Sequence, residues 1–580
     1  MIKKILGMIG LISILGINSG FTQTESAFRP VTEGYLPAYH AIQRQDYLTA
    51  ASYLRTLIQQ NTDLNIRSLY FQALVQIGDL DQAVGQIEQL RQQKVDFPLL
   101  HLLAGVHNLS NKVAGQRNVI ADAEFKSLGN QTDQFYQAFT QFLLLWQTVI
   151  ELEQLSQPQT DLKIFEQKLQ QISQRQGLAE FYWLNLGMIA DLLNQPAQAE
   201  IYYKQLLQTV PNPSLRTLEI VGVFYAKTAP QANPILNILQ SQYVEFNNDQ
   251  RILELIKLFQ NPGSLPSKII QSGQQGMAEI FFNFANIMSS QQEYTQAIPL
   301  YWMSLKLNSN LTVARLGLAM NLVGMGRYEE ARTILSQLLA PNYLTPSARI
   351  QLADIDQRQG QLEQALAAFQ GMVQQYPDWI LLHQAAGDVL RSQKKFEQAL
   401  PFYQQALVLL EANLKTVPGS VSLKNQIAGQ YFVLGIAYER TKQWPKAEAS
   451  FLKSLALQPQ QAPVMNYLAY TWVDQGIKLD QALEMLLQAD RLTPNQGYIL
   501  DSIGWAYYRL KQYDKAIQYM EKAIVLDPGE AEINDHLGDV YLAVGRKREA
   551  LFQWQRALRL NPQPETIPLI QEKILKLGQP

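Results

Sequence analysis

Aromatic and acidic side chains recur together between residues 470 and 539, and these residue types are suited to bind a partner. Rings offer a partner rigid contact area, and carboxylates select for Lys or Arg side chains. If the residues share one surface, they would hold a basic or aromatic-rich protein or peptide segment. The candidate binding residues are Tyr470, Asp474, Tyr498, Asp501, Trp505, Tyr508, Arg509, Asp535, His536 and Asp539, with Asn466 and Glu532 beside them. In the alternative interpretation, Trp505 and Tyr508 pack against a neighbouring element and the acids are simply solvated.

Residues that could carry catalysis or hold a metal are sparse. The chain has five histidines and no cysteine, which removes thiol catalysis, disulfides and cysteine zinc sites. No H-E-x-x-H motif occurs, and His101 and His107 are spaced so that they lie on different faces of a helix. Nucleophile-elbow, P-loop and dinucleotide-binding motifs are also missing. We therefore predict no catalytic residues, no cofactor and no metal site; an enzyme would need a site in the aperiodic region 108–176, which offers no candidate.

The candidate binding residues lie within segments that repeat at a distance of 34 residues. Five positions recur in order: Gly504, Tyr507, Ala516, Ala523 and Pro528 return as Gly538, Tyr541, Ala550, Ala557 and Pro562. Small residues let two antiparallel helices approach to the roughly 8–10 Å of packed helices. A proline lacks an N–H and disfavours helix in the residue before it, so it ends the second helix. The pattern predicts a helix–turn–helix unit that stacks on its neighbours.

This period, with small, aromatic and proline residues in this order, resembles the tetratricopeptide (TPR) repeat. The resemblance implies an all-α fold: an α-solenoid, or TPR superhelix, of stacked antiparallel helix hairpins. Three runs also resemble the C-terminal array of signal-bearing proteobacterial TPR proteins, most of which have no assigned activity. They are NYLAYTWVDQGIKLDQAL, NQGYILDSIGWAYYRLKQYDKAI and INDHLGDVYLAVGRKREALFQWQRAL. This resemblance implies a scaffold in the cell envelope and no catalytic residues.

Walking the repeat along the chain predicts its domain organisation. Alanines spaced by 34 residues extend the pattern upstream, giving eight units over 278–564 with an insertion at 414–427. Weaker matches predict a degenerate N-terminal arm of helical hairpins over 25–260. The Pro- and Gly-containing stretch within 261–277 reads as a linker. Residues 565–580 carry apolar side chains at helical spacing, which predicts a helix that caps the last repeat.

The first residues indicate export. Lys3 and Lys4 precede the apolar run Ile5–Ile17, and polar residues follow, as in a secretory signal peptide over 1–24. The run is too short for the roughly 20 residues that span a bilayer. In the alternative, it would be an ordinary core helix. We expect an exported protein in the periplasm or cell envelope of a Gram-negative bacterium, with no transmembrane span after signal removal.

Charge and composition narrow the class of partner. The formal net charge is −2 and no long basic run exists, so nucleic acid is excluded as a partner because phosphate binding needs a basic stripe. The leading hypothesis is a non-enzymatic scaffold that holds protein partners in the groove of the TPR superhelix. The alternative is a TPR component of an outer-membrane assembly or polysaccharide export machine.

Overall fold

A computed structural model describes residues 34–60, 63–111, 119–129, 134–153, 162–173, 178–340 and 342–577. Thirty α-helices and no strands occur in these ranges, and the helices form stacked antiparallel pairs. The predicted all-α solenoid is therefore confirmed. The predicted signal peptide, 1–24, lies outside the described residues. Contacts divide the chain into two compact units, one with Gln250–Gln361 and the described residues up to Tyr243, the other with Val244–Asp249 and the described residues from Leu362 onward.

The first unit contains eighteen of the described helices. They are α1 Tyr35–Gln43, α2 Tyr47–Gln60, α3 Leu64–Ile77, α4 Leu80–Gln92, α5 Pro98–Ser110, α6 Val119–Gly129, α7 Gln134–Leu152, α8 Lys163–Ser173, α9 Ala179–Leu192, α10 Pro196–Thr209, α11 Leu215–Thr228, α12 Pro234–Glu245, α13 Gln250–Gln260, α14 Gly273–Ser290, α15 Tyr294–Leu307, α16 Thr312–Gly324, α17 Tyr328–Ser336 and α18 Thr345–Arg358. The last two residues of α12 fall in the second unit. Short 3-10 turns occur at Pro230–Ala232 and Pro262–Ser264.

Helices far apart in the sequence share the core of the first unit. The rings of Phe139 on α7 and Phe284 on α14 stack with centroids 4.2 Å apart. Arg216 on α11 makes a buried ion pair with Glu279 on α14. Helices α3 and α5 also contact α15. The helices on both sides of the predicted linker 261–277 therefore belong to one unit, and α14 begins inside that range at Gly273.

The second unit contains the remaining twelve helices. They are α19 Leu362–Gln375, α20 Ile380–Ser392, α21 Phe396–Thr416, α22 Val421–Arg440, α23 Trp444–Leu457, α24 Ala462–Gln475, α25 Leu479–Leu492, α26 Gly497–Arg509, α27 Tyr513–Leu526, α28 Ala531–Ala543, α29 Lys547–Arg559 and α30 Ile567–Leu577. Antiparallel pairs run from α20/α21 to α28/α29, and α30 packs on α29. No described helix of the chain has both the length and the apolarity needed to cross a membrane.

Glycine allows the two helices of a pair to touch. A β-carbon at Gly504 would lie 2.7 Å from Cγ of Met520, and one at Gly538 would lie 2.5 Å from Cδ1 of Trp554. Both distances are shorter than van der Waals contact, so a larger residue would force the pair apart. Lys511, in the turn between α26 and α27, has a left-handed backbone with φ of 60°. This spacing rule is what the 34-residue repeat of glycine and alanine records.

The predicted insertion, 414–427, lengthens two helices and adds only a four-residue turn. Helix α21 continues to Thr416 and α22 starts at Val421, so these helices have 21 and 20 residues. The added turns are stable because Leu410, Leu423 and Ile427 are buried in one apolar cluster with Ile380. The segment Val244–Asp249 packs against them, since Asn413 donates a hydrogen bond to the carbonyl of Val244 at 3.1 Å.

Candidate binding surface on the inner helices

Four first helices of consecutive pairs, α22, α24, α26 and α28, contact one another directly and form the inner side of the stack. We call them the inner helices, and the second helices of the same pairs, α23, α25, α27 and α29, the outer helices. Equivalent positions on the inner helices fall next to each other because the repeat has a fixed length. One such row is Tyr470, Trp505 and Asp539, and another is Arg440, Asp474 and Arg509. Eight of the ten predicted binding residues take part in the contacts that follow.

Rings from three inner helices meet in one column. Trp505 and Tyr508 stack with centroids 4.7 Å apart and planes inclined by 12°. His536 on α28 lies on the same indole, 4.2 Å away and also inclined by 12°. Tyr470 on α24 approaches the imidazole at 6.3 Å. Trp505 thus packs against the neighbouring repeat, as the alternative interpretation of the sequence held, and it keeps part of its surface accessible.

A buried ion pair fixes this column. The imidazole Nδ1 of His536 lies 3.0 Å from a carboxylate oxygen of Asp501, and both side chains are buried. Burial acts to lower the pKa of His536, but the charge of Asp501 and its hydrogen bond outweigh it and raise that pKa to about 9. The imidazole is therefore charged at neutral pH. It is a cation held between an indole face and a carboxylate, and it has no proton-accepting nitrogen to offer a substrate.

The two acids nearest the C-terminal end of the surface already have a partner within the chain. Nζ of Lys573 on α30 lies 2.8 Å from Asp535 and 2.8 Å from Asp539. Asp539 also accepts a hydrogen bond from the indole N–H of Trp554 at 3.1 Å. The expectation that these carboxylates would select a basic partner is therefore met by the chain's own lysine. A sequence signal for it exists, because Lys573 follows Asp539 by another 34 residues.

The accessible acids lie nearer the middle of the surface. The hydroxyl of Tyr470 donates to Glu532 at 2.5 Å, and both Glu532 and Asp474 are exposed. Arg509 donates to the backbone carbonyl of Asp474 at 2.9 Å. Glu439, at the end of α22, is coupled electrostatically to both acids. The sequence reading missed Glu439 and its neighbour Arg440, although Arg440 precedes Asp474 by one 34-residue period.

An apolar slot opens near the N-terminal ends of the same helices. Phe432, Pro463, Val464 and Leu492 line it, and its volume is about 290 Å³. The ring of Phe432 packs edge-on against Tyr467 at 5.4 Å. Tyr498, one of the predicted residues, stands nearby at the start of α26 with 41% of its surface exposed. The inner side therefore combines an apolar slot with acids further along the helices.

Three matches to protein-family models fall within the chain. Residues 182–212 and 497–530 each match a tetratricopeptide repeat, and residues 279–424 match a tetratricopeptide repeat-like domain. The chain is a tetratricopeptide repeat protein. Its repeats form a scaffold for protein–protein interaction. Among the described residues, no group of three or more His, Asp or Glu side chains is placed to hold a metal ion.

Similar proteins carry the same repeat. The "TPR repeat-containing protein PA4667" of Pseudomonas aeruginosa is 25% identical over 163 residues, which is 28% of this chain and 25% of that protein. The match thus spans about a quarter of the relative's length. A crystal structure of a tetratricopeptide repeat protein from Parabacteroides merdae is 17% identical with a TM-score of 0.37, covering 46% of this chain and 98% of that one. The APC/C hetero-tetramer Cut9-Hcn1 is 15% identical with a TM-score of 0.38, covering 94% of this chain and 96% of that one.

Proposed function

We propose that this TPR protein is a non-enzymatic scaffold of the cell envelope that holds a protein partner on its inner helices. The observation that carries the proposal is the meeting of α24, α26 and α28 in one surface with accessible rings and acids. Tyr498, Asp474 and Glu532 remain exposed there, while the ring column behind them is packed. Rigid rings beside accessible charges are characteristic of protein-binding surfaces.

The state of the polar groups supports a binding role over a catalytic one. A general base needs a pKa near the working pH and an accessible lone pair. His536 is buried and charged at neutral pH, and its Nδ1 is engaged by Asp501. Asp535 and Asp539 share Lys573. These groups hold one another in place, which suits a preformed surface that loses little entropy when it binds.

The envelope location in this proposal rests on the sequence. The basic start at Lys3 and Lys4 and the apolar run Ile5–Ile17 support export. The absence of cysteine suits an oxidising compartment, where unpaired thiols are a liability.

Photo-crosslinking in the native host tests the proposal. A photoreactive amino acid replaces Tyr498 on the inner side, and in a matched control it replaces Phe552 on the outer helix α29. These side chains are 41% and 52% exposed, so both probes reach solvent. We expect discrete adducts of higher mass from the probe at 498 and none from the probe at 552.

The adducts should also depend on the surface. Replacing Asp474 by Lys in the chain that carries the probe at 498 should abolish them. Adducts of equal intensity from both probes, or adducts that ignore Asp474→Lys, would place the partner elsewhere on the protein.

A further inference from the structure

We infer that the inner side of α22 and α24 recognises an extended peptide segment in which an apolar side chain precedes or follows a Lys or Arg by three residues. The apolar side chain would enter the slot lined by Phe432, and the basic one would reach Glu439, Asp474 and Glu532. This inference rests on the proposed function and names the chemistry of its partner.

The slot suits a single side chain. Its volume of about 290 Å³ lies just below the roughly 300–1,000 Å³ of small-molecule sites. Phe432, Pro463 and Leu492 make its wall apolar, and Gln461 at its edge already donates to Ser454 at 3.1 Å. An aliphatic or aromatic residue of a partner would therefore gain burial there without leaving a polar wall group unpaired.

The acids at the other end lack sufficient cations. Glu439 has a side chain only 15% exposed, and its Oε2 accepts no hydrogen bond. Burial raises the pKa of Glu439; the adjacent Arg440 opposes this rise, while Glu532 and Asp474 add to it. A carboxyl group in this state is stabilised in its charged form by any further cation that approaches it.

The charge of the whole inner side agrees with this. It carries six acids: Glu439, Asp474, Asp501, Glu532, Asp535 and Asp539. Four cations face them: Arg440, Arg509, Lys573 and the charged His536. The excess is negative, and it falls at the accessible acids because the others are paired within the chain. A basic partner segment is complementary to this surface.

The spacing follows from helix geometry. Phe432 and Glu439 are seven residues apart on α22, which separates them by about 10.5 Å along one face. An extended chain rises about 3.3 Å per residue, so side chains three residues apart span nearly the same distance. A helical partner would need a spacing of about seven residues to do so. The lining of the slot by loop residues on both sides of α24 leaves it open to a flat, extended chain.

Selection from a random twelve-residue peptide phage library on the immobilised full chain tests the inference. We expect enriched peptides to pair an apolar residue with Lys or Arg at a spacing of three. A synthetic peptide of the consensus should lose about tenfold or more in affinity for Glu439→Gln combined with Asp474→Asn. The same peptide with Lys replaced by norleucine should bind the parent and this variant equally. Glu484→Gln, an exposed glutamate on the outer helix α25, should leave its affinity unchanged.

A second variant tests the apolar end. Leu492→Ser should weaken the consensus peptide and leave its salt dependence intact, because only the basic residue meets charge. Peptides that depend on the inner surface but share no basic residue, or that prefer a spacing of seven, overturn this inference and leave the proposed function standing. Enriched peptides that bind all these variants like the parent would overturn both.

Discussion

Glycine to alanine substitutions on the inner helices test the packing on which the binding surface depends. A β-carbon at Gly538 would meet Trp554 Cδ1 and Nε1 at 2.5 Å. The indole cannot yield, since it is fully buried and its N–H is held by Asp539 at 3.1 Å. Overpacking of this kind costs about 1–3 kcal/mol. Alanine returns about 1 kcal/mol of helix propensity, so we expect Gly538→Ala to lose about 1–2 kcal/mol.

Two other glycines provide the matched comparison. A β-carbon at Gly504 would meet Met520 Cγ at 2.7 Å, but a methionine side chain can change rotamer, so we expect a smaller loss. At Gly429 on α22 no atom lies within 4 Å, so alanine should stabilise by up to about 1 kcal/mol. Thermal unfolding should rank the variants 429 above 504 above 538. At about 2–4 °C per kcal/mol, the extremes should differ by roughly 4–12 °C. Equal melting temperatures for Gly429→Ala and Gly538→Ala would refute the assigned packing.

Three further results are expected. The raised pKa of His536, about 9, means that its charged form stabilises the fold below its ordinary pKa of 6.5, and this stability is lost as pH rises through 9; in urea titrations, His536→Gln should remove the dependence between those values, and an unchanged profile would count against the Asp501 pair. Truncation after Pro562 removes α30, which buries Ile570 and carries Lys573, so the protein should self-associate in light scattering; a monomer at high concentration would show that α30 is dispensable. Intact mass of protein from the native host should place its first residue between about 19 and 27, where a full-length product would contradict export.

The repeating positions were predictable because their physical cause is local. Gly504, Ala516 and Pro528 mark close approach and helix ends within one hairpin, and the fixed period places the same side chains in each repeat. The period also put Asp501 and His536 on the same side, which the structure joins at 3.0 Å. The division of the chain into 25–260, 261–277 and 278–564 stays a prediction.

Contacts between distant segments could not be read from the pattern. Phe139 lies in the aperiodic region 108–176 and stacks on Phe284, and nothing in a local pattern pairs the two. The insertion 414–427 reads as an interruption because it breaks the period, yet Leu423 finds apolar neighbours that keep it helical. The partner of Asp535 and Asp539 was missed for a similar reason, since α30 was treated as a cap for apolar surface alone.

The most direct test of the central claim is the affinity of the partner captured by crosslinking for two charge-reversal variants. Asp474→Lys changes the inner side and Glu484→Lys changes the outer helix α25 by the same charge, and both positions are exposed. Isothermal calorimetry at low salt should show a loss of about tenfold or more for Asp474→Lys and no loss for Glu484→Lys, with the difference shrinking as salt screens the charges. Equal affinities for the two variants, with the fold intact, would contradict binding on the inner helices.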